Sequence, residues 1–343
     1  MGGATNEADA VVTLAHGGGG RRQRELIEEI VRPRLSNAWL DPLDDAARLA
    51  LDGARLAFTA DAFAVDPIFF PGGDIGSLAV NGTVNDLAVS GARPRFLSLT
   101  MVLEEGVPLA TLGAVLDSVA AAARRAEVFV VCGDTKVVER GRAGGGMFLS
   151  TSGIGELLDA PPTGATSCRA GDELVVSGPI GDHGAAIFAA REELGGMGGV
   201  QSDCAPVSAL AAAACDGFGV RFMRDPTRGG LLAIAHELAG SCGLTVELDD
   251  ARIPVRPETR GLADVLGLEA WRLACEGRVV AVVPEGRGEE LAARWGAMEG
   301  GQGAAACGRL APRRPSAPVV LRAATGVLRP LDFPADDPLP RIC

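Results

Sequence analysis

Apolar residues recur along this chain with two distinct periods. In FLSLTMVL, Leu97, Leu99, Met101 and Leu103 stand at alternate positions, the pattern of a half-buried strand. Strands are also predicted at 54–60 (ARLAFTA), 128–133 (VFVVCG) and 147–157 (MFLSTSGIGEL). In RRQRELIEEIV, Leu26, Ile27, Ile30 and Val31 share one helical face. GSLAVNGTVNDLAVSGA (76–92) reads as an apolar helix carrying a single carboxylate, Asp86, and an Ala-rich helix follows at 109–126.

Turn formers then concentrate in DAPPTGATSCRAGDE (159–173), where Pro161-Pro162 breaks any helix. A second α/β set follows, with strands at 172–178, 244–248 and 278–283, shorter ones near 305–310 and 318–322, and helices at 204–215 and 229–239. From Gly326 to Cys343 four prolines impose an extended, semi-rigid arm. The expectation is an α+β fold in two domains, 1–160 and 161–325, followed by an arm, 326–343. The length of 343 residues agrees, at about 150 residues per domain.

Composition sharpens this picture. Thirty-two basic and 44 acidic residues give a net charge of −12, and no basic stripe is visible, which argues against nucleic-acid binding. No apolar run is long enough to span a membrane, and the acidic, polar N-terminus does not resemble a signal peptide; a cytoplasmic, reducing location is expected. The eight cysteines form no CxxC pair and only three histidines exist, so a structural zinc site is not expected. Lys136 is the only lysine among the 32 basic residues.

The candidate chemistry lies in a few short segments. No Walker A loop and no Rossmann fingerprint is present; GQGAAA (301–306) follows no strand. Gly17, Gly18, Gly19 and Gly20 precede a predicted helix and Arg21-Arg22; they are either a phosphate cradle or a linker. Asp44, Asp45, Asp61, Asp86, Asp134 and Asp225 sit beside small residues or at element ends, as Asp66 and Asp74 do; these last two read as turn residues. Asp86 is the most informative, because a lone carboxylate on an apolar helix is costly to bury unless paired or metal-bound. Mg²⁺ with a nucleotide is held by a few carboxylates plus phosphate oxygens, which would let an acidic protein bind a polyphosphate. Lys136, in GDTK after a strand, is either a desolvated general base or a surface lysine. Glu276, in ACEGRVV, reads on its own as a turn residue before a strand. Cys343 ends the proline-stiffened arm and is either a carried thiol or an incidental one.

Five segments together carry a resemblance: residues 59–94 (TADAF through NDLAVSGARP), CGDTKVVERG (132–141), RDPTRGG (224–230), ACEGRVVAVVP (274–284) and the terminal PLPRIC (338–343). They resemble the hydrogenase-maturation HypE family, within the aminoimidazole ribonucleotide synthetase and selenophosphate synthetase superfamily. NDLA and DPTRGG mark the superfamily; GDTKVV with the PRIC terminus marks the family. Ala62 and Asn81 depart from it, where Ser and Cys are frequent.

The resemblance implies an N-terminal ATP-binding domain whose sheets form a homodimer, a C-terminal α/β domain, and a tail ending in the working cysteine. It implies ATP-dependent dehydration of a carbamoylated Cys343 to a thiocyanate, as the source of cyanide ligands for the iron of [NiFe]-hydrogenase. The implied partners are a carbamoyltransferase, HypF, and an iron-carrying HypC–HypD complex. The implied roles are Lys136 and Glu276 in deprotonating the carboxamide; Gly17–Gly20, Asp45, Asp61, Asp86, Asp134, Thr135, Asp225 and Arg228 in nucleotide binding; and Asp45, Asp86 and Asp225 on Mg²⁺. Rival readings are another ATP enzyme of the superfamily acting on a free substrate, and a non-enzymatic thiol carrier.

Overall fold

The computed structural model describes residues 20–31, 41–44, 46–141, 146–192, 199–333 and 342–343. A short helix α1 (Arg21–Glu25) widens into a π-helical turn at Leu26–Val31. The first sheet follows, from strands β1 (Ala47–Leu51), β2 (Ala54–Phe63), β5 (Ala92–Glu104), β6 (Phe129–Val138) and β7 (Met147–Leu157), ordered β1-β2-β7-β5-β6. Only β5 and β6 run parallel; the other pairs are antiparallel. A two-residue hairpin, β3 (Phe69–Phe70) and β4 (Gly73–Asp74), lies between β2 and the next helix.

Helix α2 (Ile75–Val89) lies against one face of this sheet. It is apolar all round, so it is buried all round, as such a helix must be in water. Ile75, Leu78, Val80, Val84 and Leu87 are each fully buried, worth about 1.5–3 kcal/mol apiece. Asp74 starts the helix as its N-cap, its Oδ1 accepting from Gly76 N at 2.7 Å and Ser77 N at 3.0 Å, while Ser77 Oγ accepts from Asp74 N at 2.9 Å. Helix α3 (Leu109–Arg125) covers α2 with Val115, Val119, Ala122 and Ala123, one stripe of a 3.6-residue period. Among the described residues, no strand or helix of this domain covers the other face of the sheet.

The second sheet holds seven strands: β8 (Glu173–Val176), β9 (Phe222–Arg224), β10 (Thr245–Asp249), β11 (Val280–Val283), β12 (Ala305–Ala311), β13 (Val319–Arg322) and β14 (Leu328–Pro330), ordered β14-β13-β10-β12-β8-β11-β9. Helices α4 (Asp182–Arg191), α5 (Ser208–Cys215), α6 (Gly230–Cys242), α7 (Pro257–Leu266) and α8 (Gly288–Gly296) complete the chain. The runs ELVV and VAVV are apolar at nearly every position because both faces of their strands are buried. Val176, Val280 and Val282 join the core under α6, while Val175, Ala281 and Val283 join the core under α5 and α8.

Strands β1 and β9 and helices α4, α7 and α8 have no counterpart in the sequence expectation, and three further differences concern expected segments. Strand β6 continues five residues past Gly133, so GDTKVV is strand rather than turn, templated by the thirteen-residue β5 beside it. Helix α5 starts at Ser208, not 204, because residues 201–207 run as a loop against the first domain. Residues 328–330, expected in the arm, pair with β13 as an edge strand, and Leu331 beyond them is buried.

Candidate functional site at a strand–helix seam

Strand β2 and helix α2 meet along a line of polar groups. Thr59 and Asp61 lie two apart on β2 and so share the face toward α2. Thr83 and Asp86 lie three apart on α2 and so share a face of the helix. Thr59 Oγ1 donates to Asp86 Oδ2 at 2.9 Å, and Thr83 Oγ1 donates to Asp61 Oδ2 at 2.6 Å. Thr83 also meets Thr151 of β7 through a short hydroxyl contact. Asp86 is the least buried residue of its part of the helix, where it faces a cavity of about 1000 Å³. Gly20, Arg24, Asp44, Arg48 and Arg224 are among the other residues lining it. That volume sits at the upper end of the range for small-molecule sites.

Beyond Asp61 the seam becomes acidic. Glu276 is buried in the loop before β11, and burial with the neighbouring Asp225 and Asp203 pushes its carboxyl well above the ordinary range, opposed by Arg228. Its Oε1 has no hydrogen-bond partner among the described residues. Burial also raises Asp61, offset by the hydrogen bond from Thr83 and by Arg228. Asn85, fully buried on α2, fixes this loop: its Nδ2 donates to Glu276 O at 3.0 Å and Ala205 O at 3.1 Å, and its Oδ1 accepts from Val207 N at 2.9 Å. Asp203 Oδ1 accepts from Glu276 N at 3.0 Å. The loops approach so closely that a Cβ on Gly277 would lie 1.9 Å from Asp203 O, so only glycine fits there.

The C-terminus docks at the far end of the same seam. Ala64, just past β2, donates its N–H to Cys343 O at 3.2 Å. The Ile342 side chain is buried in a core to which both domains contribute, and Cys343 packs against that core half-buried. Ala64 lies three residues beyond Asp61, about 10 Å of extended chain. Cavity, acidic pocket and terminal cysteine therefore follow one another along β2.

Lys136 stands apart from this line. It is paired in register with Val102 on the open face of the sheet, opposite the face that carries Thr59, Asp61 and α2. Its side chain is 70% exposed and lies 3.5 Å from Asp134 Oδ2, two residues back on the same face. Asp134 also accepts from Thr135 N through Oδ1 at 2.9 Å. Within one chain the sheet separates the Lys136 and Asp134 side chains from Glu276, while Thr135, paired in register with Met101, points to the other face.

Of the expected nucleotide ligands, Gly20 and Asp86 line the cavity, and Asp61, Asp225 and Arg228 surround Glu276. Gly17, Gly18, Gly19 and Asp45 lie outside the described residues, as do the tail prolines 334, 338 and 340. No three His, Cys, Asp or Glu side chains among the described residues form a group able to hold a metal by themselves. Cys132 lies exposed on β6. Sequence reasoning passed over Asn85, Thr59, Thr83, His183 and Ser202. Asn85 carried a signal, a second buried polar residue beside Asp86 on an apolar helix. His183 carried one too, as one of only three histidines.

The chain matches the family model for the AIR synthase related protein N-terminal domain at residues 43–157 and that for the C-terminal domain at residues 169–319. It is 45% identical over 337 residues to the carbamoyl dehydratase HypE of Escherichia coli K12, covering 97% of this chain and 99% of that protein. A crystal structure of a HypE–HypF complex superposes with a TM-score of 0.84 at 37% identity, over 90% of this chain and 99% of that one. A crystal structure of HypE in complex with ATP gives a TM-score of 0.79 at 41% identity, over 97% of this chain and 100% of that one. With both halves of the chain matched and the likeness running nearly end to end, the chain belongs to the HypE family of AIR synthase related proteins.

Proposed function

We propose that this chain is an ATP-dependent carbamoyl dehydratase whose substrate is its own C-terminus: Cys343 carries a carbamoyl group as a thiocarbamate and leaves as a thiocyanate. The observation that carries this reading is the docking of Cys343 at the end of the seam that begins at the cavity and passes the acidic pocket. The ATP and HypF in the structures of related HypE proteins support the nucleotide and a carbamoyltransferase as partner. The cyano group would then pass to an iron carried by a HypC–HypD complex. No described helix is long and apolar enough to cross a membrane, and the expected setting is the cytoplasm.

The chemistry asks for three things. The amide oxygen must become a leaving group, which transfer of the γ-phosphoryl of ATP achieves, releasing ADP. Two protons must leave the nitrogen as the C–O bond breaks to phosphate and the C≡N bond completes. Water must stay out, because the activated carbamoyl would hydrolyse. Glu276, whose burial makes its carboxylate a stronger base than usual, is the group in place to take a proton. The buried Ile342 and the core around it exclude water on the tail side.

The carboxylates fit Mg²⁺. Glu276 feels Asp225, Asp203 and Asp61 against Arg228, an excess of negative charge that a cation would balance. Asp86 and Asp225, with Asp45, would hold it alongside phosphate oxygens, and the ion would neutralise charge on the transferring phosphoryl group.

A homodimer belongs to this reading. Phe58, Ile154, Phe96 and Phe129 lie opposite one another on β2, β7, β5 and β6, a row on the open face exposed by 41%, 40%, 47% and 69%. Monomers rarely expose such a contiguous apolar patch. A second copy that covered the open face from this row as far as Lys136, about 20 Å along the strands, would take Lys136 out of water, as general-base work requires.

The test is to incubate the chain with a HypF carbamoyltransferase, carbamoyl phosphate, ATP and Mg²⁺ and weigh the C-terminal peptide. Gain of a carbamoyl group and then ATP-dependent loss of one water supports the reading. An unmodified Cys343 overturns it, and carbamoylation that never proceeds to water loss makes the chain a carrier.

A further inference from the structure

His183, the second residue of α4, is fully buried and used by nothing in the chemistry above. Its two ring nitrogens are both engaged: Nε2 lies 2.6 Å from Ile342 O and Nδ1 lies 2.8 Å from Ser202 Oγ. A carbonyl oxygen can only accept, so Nε2 carries the proton. In the neutral ring Nδ1 must then accept, and Ser202 Oγ–H must donate to it. Ser202 Oγ in turn accepts from Cys204 N at 3.1 Å. Each link sets the direction of the next, from the Cys204 backbone to the C-terminal dipeptide.

The surroundings hold this relay rigid. Phe70 meets the His183 ring edge-on, with centroids 5.4 Å apart and planes at 87°. Ser202 N donates to Pro71 O at 2.8 Å, and a Cβ on Gly72 would lie 2.7 Å from Ser202 O, so the hairpin and the Ser202 loop touch backbone to backbone. Burial disfavours the charged imidazolium and keeps the ring neutral, as the relay requires.

We infer that His183, oriented by Ser202, is a positioning residue that seats the C-terminus: it grips the penultimate carbonyl while Ile342 fills an apolar socket and Ala64 N–H holds the Cys343 carbonyl. The inference rests on the reading of Cys343 as the group-bearing residue, and it adds the device that sets the thiol down at the acidic pocket. The recognition is of backbone plus one buried aliphatic side chain, so it reads the residue before the cysteine rather than the cysteine itself.

The test measures the alkylation rate of Cys343 by a maleimide, read from the C-terminal peptide, in the full chain and in His183→Ala, His183→Gln, Ser202→Ala and Ile342→Ala. A glutamine amide can still donate to the Ile342 carbonyl. Loss of one neutral hydrogen bond predicts alkylation faster by roughly three- to tenfold in His183→Ala and Ser202→Ala. His183→Gln should return toward the parent rate, and Ile342→Ala should be faster by roughly tenfold or more. ATP-dependent water loss from carbamoylated chain should slow in the same order, with ATP binding unchanged. Unchanged alkylation in Ser202→Ala and His183→Ala overturns the inference, as does a His183→Gln rate equal to that of His183→Ala. If His183→Ala does not fold, Ser202→Ala and Ile342→Ala decide the matter. Alkylation needs no carbamoyl group, so a chain that never loses water defeats the dehydratase reading while this measurement still decides the role of His183.

Discussion

Asn85→Ala is the substitution that most sharply probes how the two domains hold Glu276. The wild-type amide donates twice and accepts once, all three bonds lying between 2.9 and 3.1 Å, in a fully buried setting. Alanine removes the three bonds and strands Val207 N–H and two carbonyls away from water. At about 1 kcal/mol per bond, with part of the desolvation of the orphaned groups added, the cost is about 2–4 kcal/mol. For a chain of this size that lowers Tm by roughly 3–6 °C. Asn81, one turn earlier on the same helix, is the control. Its Nδ2 donates only to Cys204 Sγ at 3.4 Å and its Oδ1 has no partner among the described residues, so Asn81→Ala should cost about 1 kcal/mol or less. Thermal unfolding at neutral pH, followed by circular dichroism, measures both. Dehydration assayed well below either Tm should fall further in Asn85→Ala, because the loop carrying Glu276 has lost its tether. If Asn85→Ala costs no more than Asn81→Ala, the tether is not what positions the loop.

Three further outcomes follow from the geometry. The folded-state pKa of Glu276 lies above its ordinary 4.5, so ionisation favours the unfolded chain; its contribution to stability is whole below 4.5 and is lost as pH rises through the folded value. The Tm advantage of Glu276→Gln over the parent should therefore grow with pH, and an advantage constant across pH would contradict the burial argument. Phe96→Asp, in the middle of the outer apolar row, should turn a dimer into a monomer by sedimentation; a dimeric variant or a monomeric parent would place the self-contact elsewhere. Lys136→Ala should bind ATP as the parent does yet stop water loss from the carbamoylated chain, and retained dehydration would remove Lys136 from the mechanism.

Much of the fold is legible in the sequence because its signals are local. The alternation in 97–103 and the largely apolar stretch of α2 each dictate one element, and Asp74, read as a turn residue, caps the helix that leaves that turn. The extension of β6 is not local: Gly133-Asp134 favours a turn, and only the long partner β5 holds it extended. The site is less legible for the same reason. Lys136 stands out by its rarity, but the face it occupies depends on strand register. The raised Glu276 depends on Asp225, Asp203 and Asp61, which are brought to it from three other parts of the chain. His183 acquires its partner from the last two residues, 159 positions away.

The central claim is that ATP is consumed to draw water out of a carbamoyl group on Cys343. The most direct measurement quenches the reaction of purified carbamoylated chain with ATP and Mg²⁺ at successive times, counting released phosphate and weighing the C-terminal peptide in the same samples. The account predicts equal amounts of phosphate released and water lost, rising together, with neither in Cys343→Ser. Phosphate released while the peptide keeps its full carbamoyl mass would contradict it.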